Sequence, residues 1–416
     1  MPNPPPSDPV LRTTGFAAFR HRDFSLFFIG RLFGFGSYQM TMVALTYQIY
    51  DVTGDPVRLA LVHLILIAPT FLFFLPAGYV ADVFDRRLVL LSSYIVTALG
   101  TVGLLLLSVL GMAASWPLFV LLFVIGTARA FSGPTNNAIV PNLVPIPVFP
   151  NAVSWNTSGV KMAQIGGPVL GGFLYLAGPE VVYGTASALF VVGTVATALI
   201  RRRAAGAAKG RVDLKSLFAG LGYVYRKKML LGAIVVDFLV CSMAAVPALL
   251  PIFAKDILGV GAAGAGVLRS AMALGGLSSS LVLAQFPIAR QAGARMLLGA
   301  SLFGVSIVVF GLSTSFALSL VALLAVGAAD MININVRQTL LQIATPDEMR
   351  GRVSAVNSIS ANIGTDLAGV QSGMMAAAIG AAPAAIVGGV VIALVALACF
   401  KVFPDLARVD RMDRLL

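Results

Sequence analysis

Gly78-Tyr79-Val80-Ala81-Asp82-Val83-Phe84-Asp85-Arg86-Arg87 closes one long apolar run, residues 58–81, and precedes another, residues 88–111. Two acids and two arginines fall within these ten residues. Ions flanked by hydrophobic spans need water or one another, so the segment belongs at a membrane surface. The composition around it agrees. Of 416 residues 58% are hydrophobic and 11% charged, and the mean hydropathy is +0.92, whereas a soluble domain carries about 25% charged residues.

The same apolar pattern recurs along the chain. A spanning helix needs about 20 apolar residues, and twelve stretches qualify: 24–49, 58–81, 88–111, 115–139, 152–177, 181–200, 230–253, 263–287, 296–313, 316–341, 354–379 and 382–402. The basic residues sort by loop. Arg20, Arg22, Arg86, Arg87, Arg201, Arg202, Arg203, Arg226, Lys227, Lys228, Arg290, Arg295, Arg350, Arg352, Lys401 and Arg408 fall on one side; Arg58 and Lys255 are nearly all that the other side holds. That asymmetry predicts both termini in the cytoplasm. It also accounts for the net charge of +12 as topology, so a nucleic-acid partner is not expected and membrane lipids are. Met1–Thr14 is proline-rich and lacks the charged-then-apolar order of a cleaved signal. Cys241 and Cys399 lie inside apolar runs and the two histidines, His21 and His63, are far apart in sequence. Neither a disulfide framework, a metal site nor a cofactor is expected.

The longest connection, 201–229, divides the chain. Asp213 can cap a helix, and Leu214, Leu217, Phe218, Leu221, Val224 and Tyr225 recur at helical spacing up to Arg226-Lys227-Lys228. An amphipathic helix resting on lipid headgroups is expected there. A shift of 201 residues lays Gly126-Thr127-Ala128-Arg129 on Gly327-Ala328-Ala329-Asp330 and Asn156 on Asn357. The expectation is therefore an all-α membrane protein of twelve transmembrane helices in two pseudo-symmetric six-helix halves. Residues 1–200 and 230–416 form the halves and residues 201–229 the linker, a transporter architecture.

Three stretches resemble the major facilitator superfamily, within it the drug:H+ antiporter branch of macrolide-efflux and enterobactin-exporter-like proteins. Gly78, Asp82, Arg86 and Arg87 fall where that superfamily's loop between spans 2 and 3 has its pattern, with Val83 and Asp85 as departures. Gly159, Ala163, Gly167, Pro168, Gly171 and Gly172 follow its span-5 antiporter pattern, whose small residues allow close backbone packing. Thr345-Pro346-Asp347-Glu348-Met349-Arg350-Gly351-Arg352-Val353 resembles the loop before span 11 in the efflux branch. The resemblance implies conformational gating at Gly78, Asp82, Arg86 and Arg87 and outward transport by antiport.

Ionisable residues inside spans are costly and mark function. Spans 1, 4, 7 and 10 hold Arg31, Arg129, Asp237 and Asp330, and the resemblance makes these helices the cavity lining. Arg129 and Asp330 occupy equivalent mid-membrane positions, and the expectation is that they pair across the cavity or compete for substrate and proton. Lys161, Asp366 and Arg337 are further candidates. Asp330 comes first as proton carrier, then Asp237, then Asp366. The region of span 1 where related exporters carry an acid reads Gly34-Phe35-Gly36-Ser37-Tyr38-Gln39, without one. No nucleophile–base pair or phosphate loop points to an enzyme. Two functions follow as expectations. The first is proton-coupled, multidrug-type efflux of amphipathic small molecules across a bacterial cytoplasmic membrane, by a monomer. The second is a dedicated carrier of one metabolite such as a siderophore, lipid or sugar.

Overall fold

A computed structural model describes residues 15–112, 116–201, 214–243, 246–286, 288 and 291–407; within helices the side chains of Asp82 and Asp366 lie outside the described set. Among the described residues the regular structure is entirely helical.

Helix α1 (Arg22–Thr53) ends at Gly54, whose φ of 61° is the left-handed cap that a glycine adopts without strain. Asp55 then accepts from the Val57 amide at 2.9 Å and Pro56 opens α2 (Pro56–Leu72), the ordinary chemistry of a helix start. The second apolar run breaks at Phe73 into α2 and α3 (Phe74–Val83). Pro76 lacks the amide that would reach the carbonyl four residues back, which accounts for the break. Asp85 caps α4 (Arg86–Val109) by accepting from the Arg87 amide at 3.0 Å. Then follow α5 (Trp116–Leu143), α6 (Phe149–Leu174), α7 (Pro179–Ala198) and, past the linker, α8 (Leu214–Arg226). The seventh run contains α9 (Lys228–Met243) and α10 (Val246–Ile252), and ends in a π-turn, Phe253–Ile257, closed by the Leu258 amide on the Phe253 carbonyl at 2.8 Å. The chain finishes with α11 (Gly261–Gln285), α12 (Ala292–Leu312), α13 (Phe316–Ile343), α14 (Asp347–Ile379) and α15 (Ala381–Val402).

Among the described residues, α4, α5, α7, α11, α12, α13, α15 and the stretch Lys228–Ile257, which runs through α9, α10 and the π-turn, are long and apolar enough to cross a membrane by length and composition, and α2 is a shorter apolar helix. The long helices outside that set, α1, α6 and α14, carry the polar residues and glycines that the interior of the molecule uses. The helix order accommodates the twelve crossings read from the sequence.

Helices α1, α2, α4, α5, α6 and α7 pack among themselves, as do α9 and α11 through α15. The two bundles meet along α2 against α14 and α6 against α11. The described contacts between them gather toward the end remote from the start of α1 and the end of α15, called the far end below. There His63 and Ala60 of α2 lie under Gly369 and Gly373 of α14: a Cβ on Gly373 would sit 2.7 Å from that of Ala60. Gly172 of α6 meets Ala262 of α11, and Ser270 of α11 donates to the Ile165 carbonyl at 2.6 Å. A clasp completes the closure. Lys255 of the π-turn pairs with Asp51 of α1 at 2.5 Å, and Tyr50 donates to Asp256.

One side of the linker helix α8 docks on the second bundle; Asp213 and the side chains of Leu214, Leu217 and Phe218 lie outside the described set. Val224 is buried with Leu230, Ile234, Leu341, Val353 and Val356, and Tyr223 donates to the Ala344 carbonyl at 3.4 Å. Apolar residues at the ends of α9, α13 and α14 offer it a drier surface than the lipid interface.

Candidate functional site

Helix α6 shows how the span-5 pattern works. Missing Cβ atoms on Gly159, Gly167 and Gly171 would meet Phe28, Gln39 and Met40 of α1 at 2.7, 2.7 and 3.0 Å, and Ala163 stands against Gly36. Gly172 instead faces α11, where a Cβ would come within 2.6 Å of the Ala262 carbonyl, and Pro168 is buried on the same seam beside Gly266. One face of α6 holds the first bundle together and the adjacent face bears on the second.

Helices α1, α4, α5, α6 and α7 line a half-open cavity of about 180 Å³ on the first bundle. Its wall carries Arg31, Phe35 and Tyr38 from α1, Tyr94 and Thr97 from α4, and Arg129, Ser132 and Asn136 from α5. Ile125, Val160 and Phe190 add apolar surface, and among the described residues no acid lines it. Gly34 admits the Tyr94 ring: a Cβ would be 3.2 Å from its Cζ. Arg129 donates to the Tyr38 hydroxyl at 2.7 Å, with its guanidinium carbon 4.9 Å from that ring's centre, a cation–π arrangement. Arg31 buries one guanidinium nitrogen, Nη1, without a hydrogen-bond partner.

The acids sit elsewhere, in the second bundle. Asp237 of α9 is fully buried and pairs with Arg337 of α13 at 3.0 Å; their side chains are 1% and 5% exposed. Asn333, one turn before Arg337, donates to Asp237 at 3.4 Å, and Arg337 also donates to Asn357 of α14. Asp330 lies half-buried two turns from Arg337 on α13, within electrostatic range of Asp237, of Arg337 and of Lys161 across the seam on α6. A buried ion pair braced by amides holds its geometry tightly, since a lone charge there is costly.

The residues singled out from sequence therefore separate into two places: Arg31 and Arg129 in the first bundle's cavity, Asp237, Asp330 and Lys161 around the second bundle's ion pair. The pairing expected between Arg129 and Asp330 is not the one formed here. Arg129 engages Tyr38, and the acid–guanidinium contact joins Asp237 to Arg337. Arg269 of α11, near Arg129 and Tyr38, escaped the sequence reading, although a lone arginine inside an apolar run was there to be seen. Of the gating residues, Arg86 donates to the Ala81 carbonyl at 3.2 Å and Arg87 to that of Ala198, so both cap helix ends within the first bundle. Among the described residues, no atom lies within 4 Å of the Cβ that Gly78 lacks. Asp82 and Asp366 fall outside the described side chains.

Two packed bundles, a polar cavity and a buried ion pair within apolar helices define a multi-span membrane transporter of the major facilitator fold, and solved structures share it. A bacterial homologue of the human lysosomal transporter Spinster superposes with a TM-score of 0.69 at 17% identity, covering 97% of this chain and 99% of the other. A POT family transporter in complex with 5-aminolevulinic acid gives 0.72 at 13% identity, over 92% and 96%. The model of the family described as transmembrane secretion effector matches residues 13–414, and the chain belongs to that family. Among curated relatives, the enterobactin exporter EntS of Shigella dysenteriae serotype 1 is 25% identical over 360 residues, 85% of this chain and 86% of the relative. EntS of Escherichia coli strain HS gives the same identity and coverage.

Proposed function

We propose that the chain is a proton-coupled exporter of small amphipathic molecules, working as a monomer by alternating access in a bacterial cytoplasmic membrane with both termini cytoplasmic. On this reading residues 1–200 and 230–416 rock against each other and residues 201–229 tie them together. The far end is then the external side, and the conformation described faces the cytoplasm.

The observation that carries the reading is the asymmetry of the seam. Clasp, glycine contacts and the Ser270 hydrogen bond gather at one end, while the ionisable groups lie deeper, those of the cavity on the first bundle and the ion pair in the second. A transporter in one of its two end states has this arrangement. Asp330 is the proton carrier of choice, because Asp237 is already committed to Arg337, and Lys161 joins its surroundings to the first bundle. Protonation of Asp330 from outside would free the second bundle to rock against the first once the cavity is empty. Deprotonation toward the cytoplasm would reset it.

Reconstitution into proteoliposomes tests this. An imposed proton gradient should drive substrate uphill in the wild type, and Asp330→Asn should abolish uphill movement while leaving exchange of substrate for substrate. Uphill transport undiminished in both Asp330→Asn and Asp237→Asn would refute the coupling. A second reading, a dedicated carrier of one metabolite such as a siderophore, rests on the cationic, acid-free cavity and gains weight from relatives named as enterobactin exporters. Competition by anionic compounds and none by cationic drugs would favour it.

A further inference from the structure

The two bundles also meet charge to charge. On α11, Gly266, Arg269 and Ser270 fall at i, i+3 and i+4 and so share one face of the helix. That face is turned to the first bundle: Gly266 packs on the Pro168 carbonyl of α6, and Ser270 donates to the Ile165 carbonyl at 2.6 Å. Arg269 is therefore held at the seam, about 10 Å inward of the contact between Gly172 and Ala262 by helix rise. Among the described residues it enters no ion pair, and no hydrogen bond is found for its guanidinium. The side chain is half-buried, yet none of its nitrogens is sealed from solvent. The donors of a permanent charge thus stand unused within an apolar helix, where such a charge is costly.

What faces it is also basic. Arg129 of α5, exposed at the cavity, and His63 of α2 both lie within electrostatic range of Arg269. No acid among the described residues acts on Arg269 or on His63. Arg129 donates to the Tyr38 hydroxyl oxygen at 2.7 Å, which leaves the proton of that hydroxyl to be donated elsewhere. Like charges in a partly desolvated place disfavour one another, and here they belong to opposite bundles. An anion between them reverses the sign of that interaction and draws the bundles together. A guanidinium on each side calls for two negative charges, and guanidinium matches carboxylate and phosphate in geometry as well as charge. The Phe35 ring, 17° from parallel with that of Tyr38 and 6.4 Å from it, offers an apolar body a place beside the charges.

We infer that Arg129 and Arg269 form an anion site shared by the two bundles, and that the cargo is an amphipathic organic dianion whose charged head lies between them and accepts from the Tyr38 hydroxyl. Each bundle supplies one arginine, so the head is held from both sides and is let go when the halves rock apart. This names the substrate class of the proposed exporter and rests on that reading for its physiological meaning, though binding itself does not depend on it.

Calorimetric titration of the purified full-length protein in detergent, with phenyl phosphate, phthalate, benzoate and benzyltrimethylammonium as probes, tests the site. The two dianions bind, benzoate binds about tenfold weaker or more, and the cation gives no heat. Arg129→Gln and Arg269→Gln each weaken phenyl phosphate by about tenfold or more, and Arg269→Lys recovers part of the loss. Arg269→Gln unfolds at no lower temperature than the wild type, because it removes a repelling charge and no contact. No heat from either dianion, phenyl phosphate affinity unaltered in either glutamine variant, or the cation binding as tightly as phenyl phosphate would overturn the inference. The exporter reading fails separately: Arg269-dependent binding of phenyl phosphate with no proton-driven transport leaves the site standing and removes the coupling. Proton-driven movement of benzyltrimethylammonium with no dianion binding does the reverse.

Discussion

Replacing Arg337 by Met keeps the side-chain stem and removes the charge from the most deeply buried ion pair found. Asp237, 0% exposed, would keep the Asn333 contact at 3.4 Å and the neighbouring Cys241 thiol, and Asn357 would lose its guanidinium donor. Taking one partner from a buried pair costs about 3–5 kcal/mol, because the remaining charge has no solvent to return to. Replacing both partners with apolar residues of similar volume is often close to neutral. The double variant Asp237→Leu/Arg337→Met is therefore expected to be more stable than Arg337→Met alone by most of that amount. In a large domain 1 kcal/mol moves Tm by about 2–4 °C. The single change should lower it by the order of 10 °C, and the double change should return it to within a few degrees of wild type. Thermal unfolding of the purified protein in one detergent, all variants side by side, reads this directly. If the double variant is as unstable as the two single changes summed, the pair is not coupled and the account of the second bundle's core is wrong.

Other consequences follow from the seam. Gly373→Val places a Cβ 2.7 Å from that of Ala60 and should wedge α2 from α14; a cysteine replacing Tyr47 then reacts faster with a water-soluble maleimide, and an unchanged rate would count against closure at that end. Tyr50→Phe combined with Lys255→Met removes both arms of the clasp, and should raise the same labelling rate severalfold with little change in Tm. Gly167→Leu pushes a side chain into Gln39 and the Gly36 carbonyl, 2.7 and 2.8 Å from the Cβ position. It should destabilise by about 1–3 kcal/mol through overpacking, seen as a lower Tm, whereas Gly166→Ala, with nothing within 4 Å, should leave Tm unchanged. Arg87→Gln takes a cation from the last carbonyls of α7 and should cost about 1 kcal/mol, again as a shift in Tm.

Much of the scaffold was legible because membrane helices announce themselves. Residues 88–111 were expected and Arg86–Val109 found; residues 316–341 were expected and Phe316–Ile343 found. Hydropathy fixes such bounds because lipid forbids unsatisfied backbone. The break at Phe73 and the π-turn at Phe253–Ile257 were not read, although Pro76 and Pro251 mark both neighbourhoods. Partners were harder still. Asp330 and Arg337 lie seven residues apart on one helix, and sequence alone cannot say which of them turns toward Asp237; the 201-residue repeat drew Arg129 to Asp330, and packing chose Arg337 for Asp237. Arg269 was visible as a charge in a span but drew no notice beside the four helices that the resemblance made important. Tyr38 and Tyr94 became cavity walls through the packing of α1, α4 and α5, a property of three helices that no single stretch carries.

The clasp between Asp51 and Lys255 is half-open to its surroundings, its side chains 47% and 35% exposed. A pair so wetted is worth about 0.2–1 kcal/mol, a factor of about five at most in the balance between two states. Such a fastening can be loosened by dissolved ions, because screening falls on exposed charges first. On the proposed transport cycle, salinity on the far side would become a dial on turnover. The protein would rest more firmly shut in dilute surroundings and cycle more readily in saline ones, with the buried pair at its centre indifferent to both.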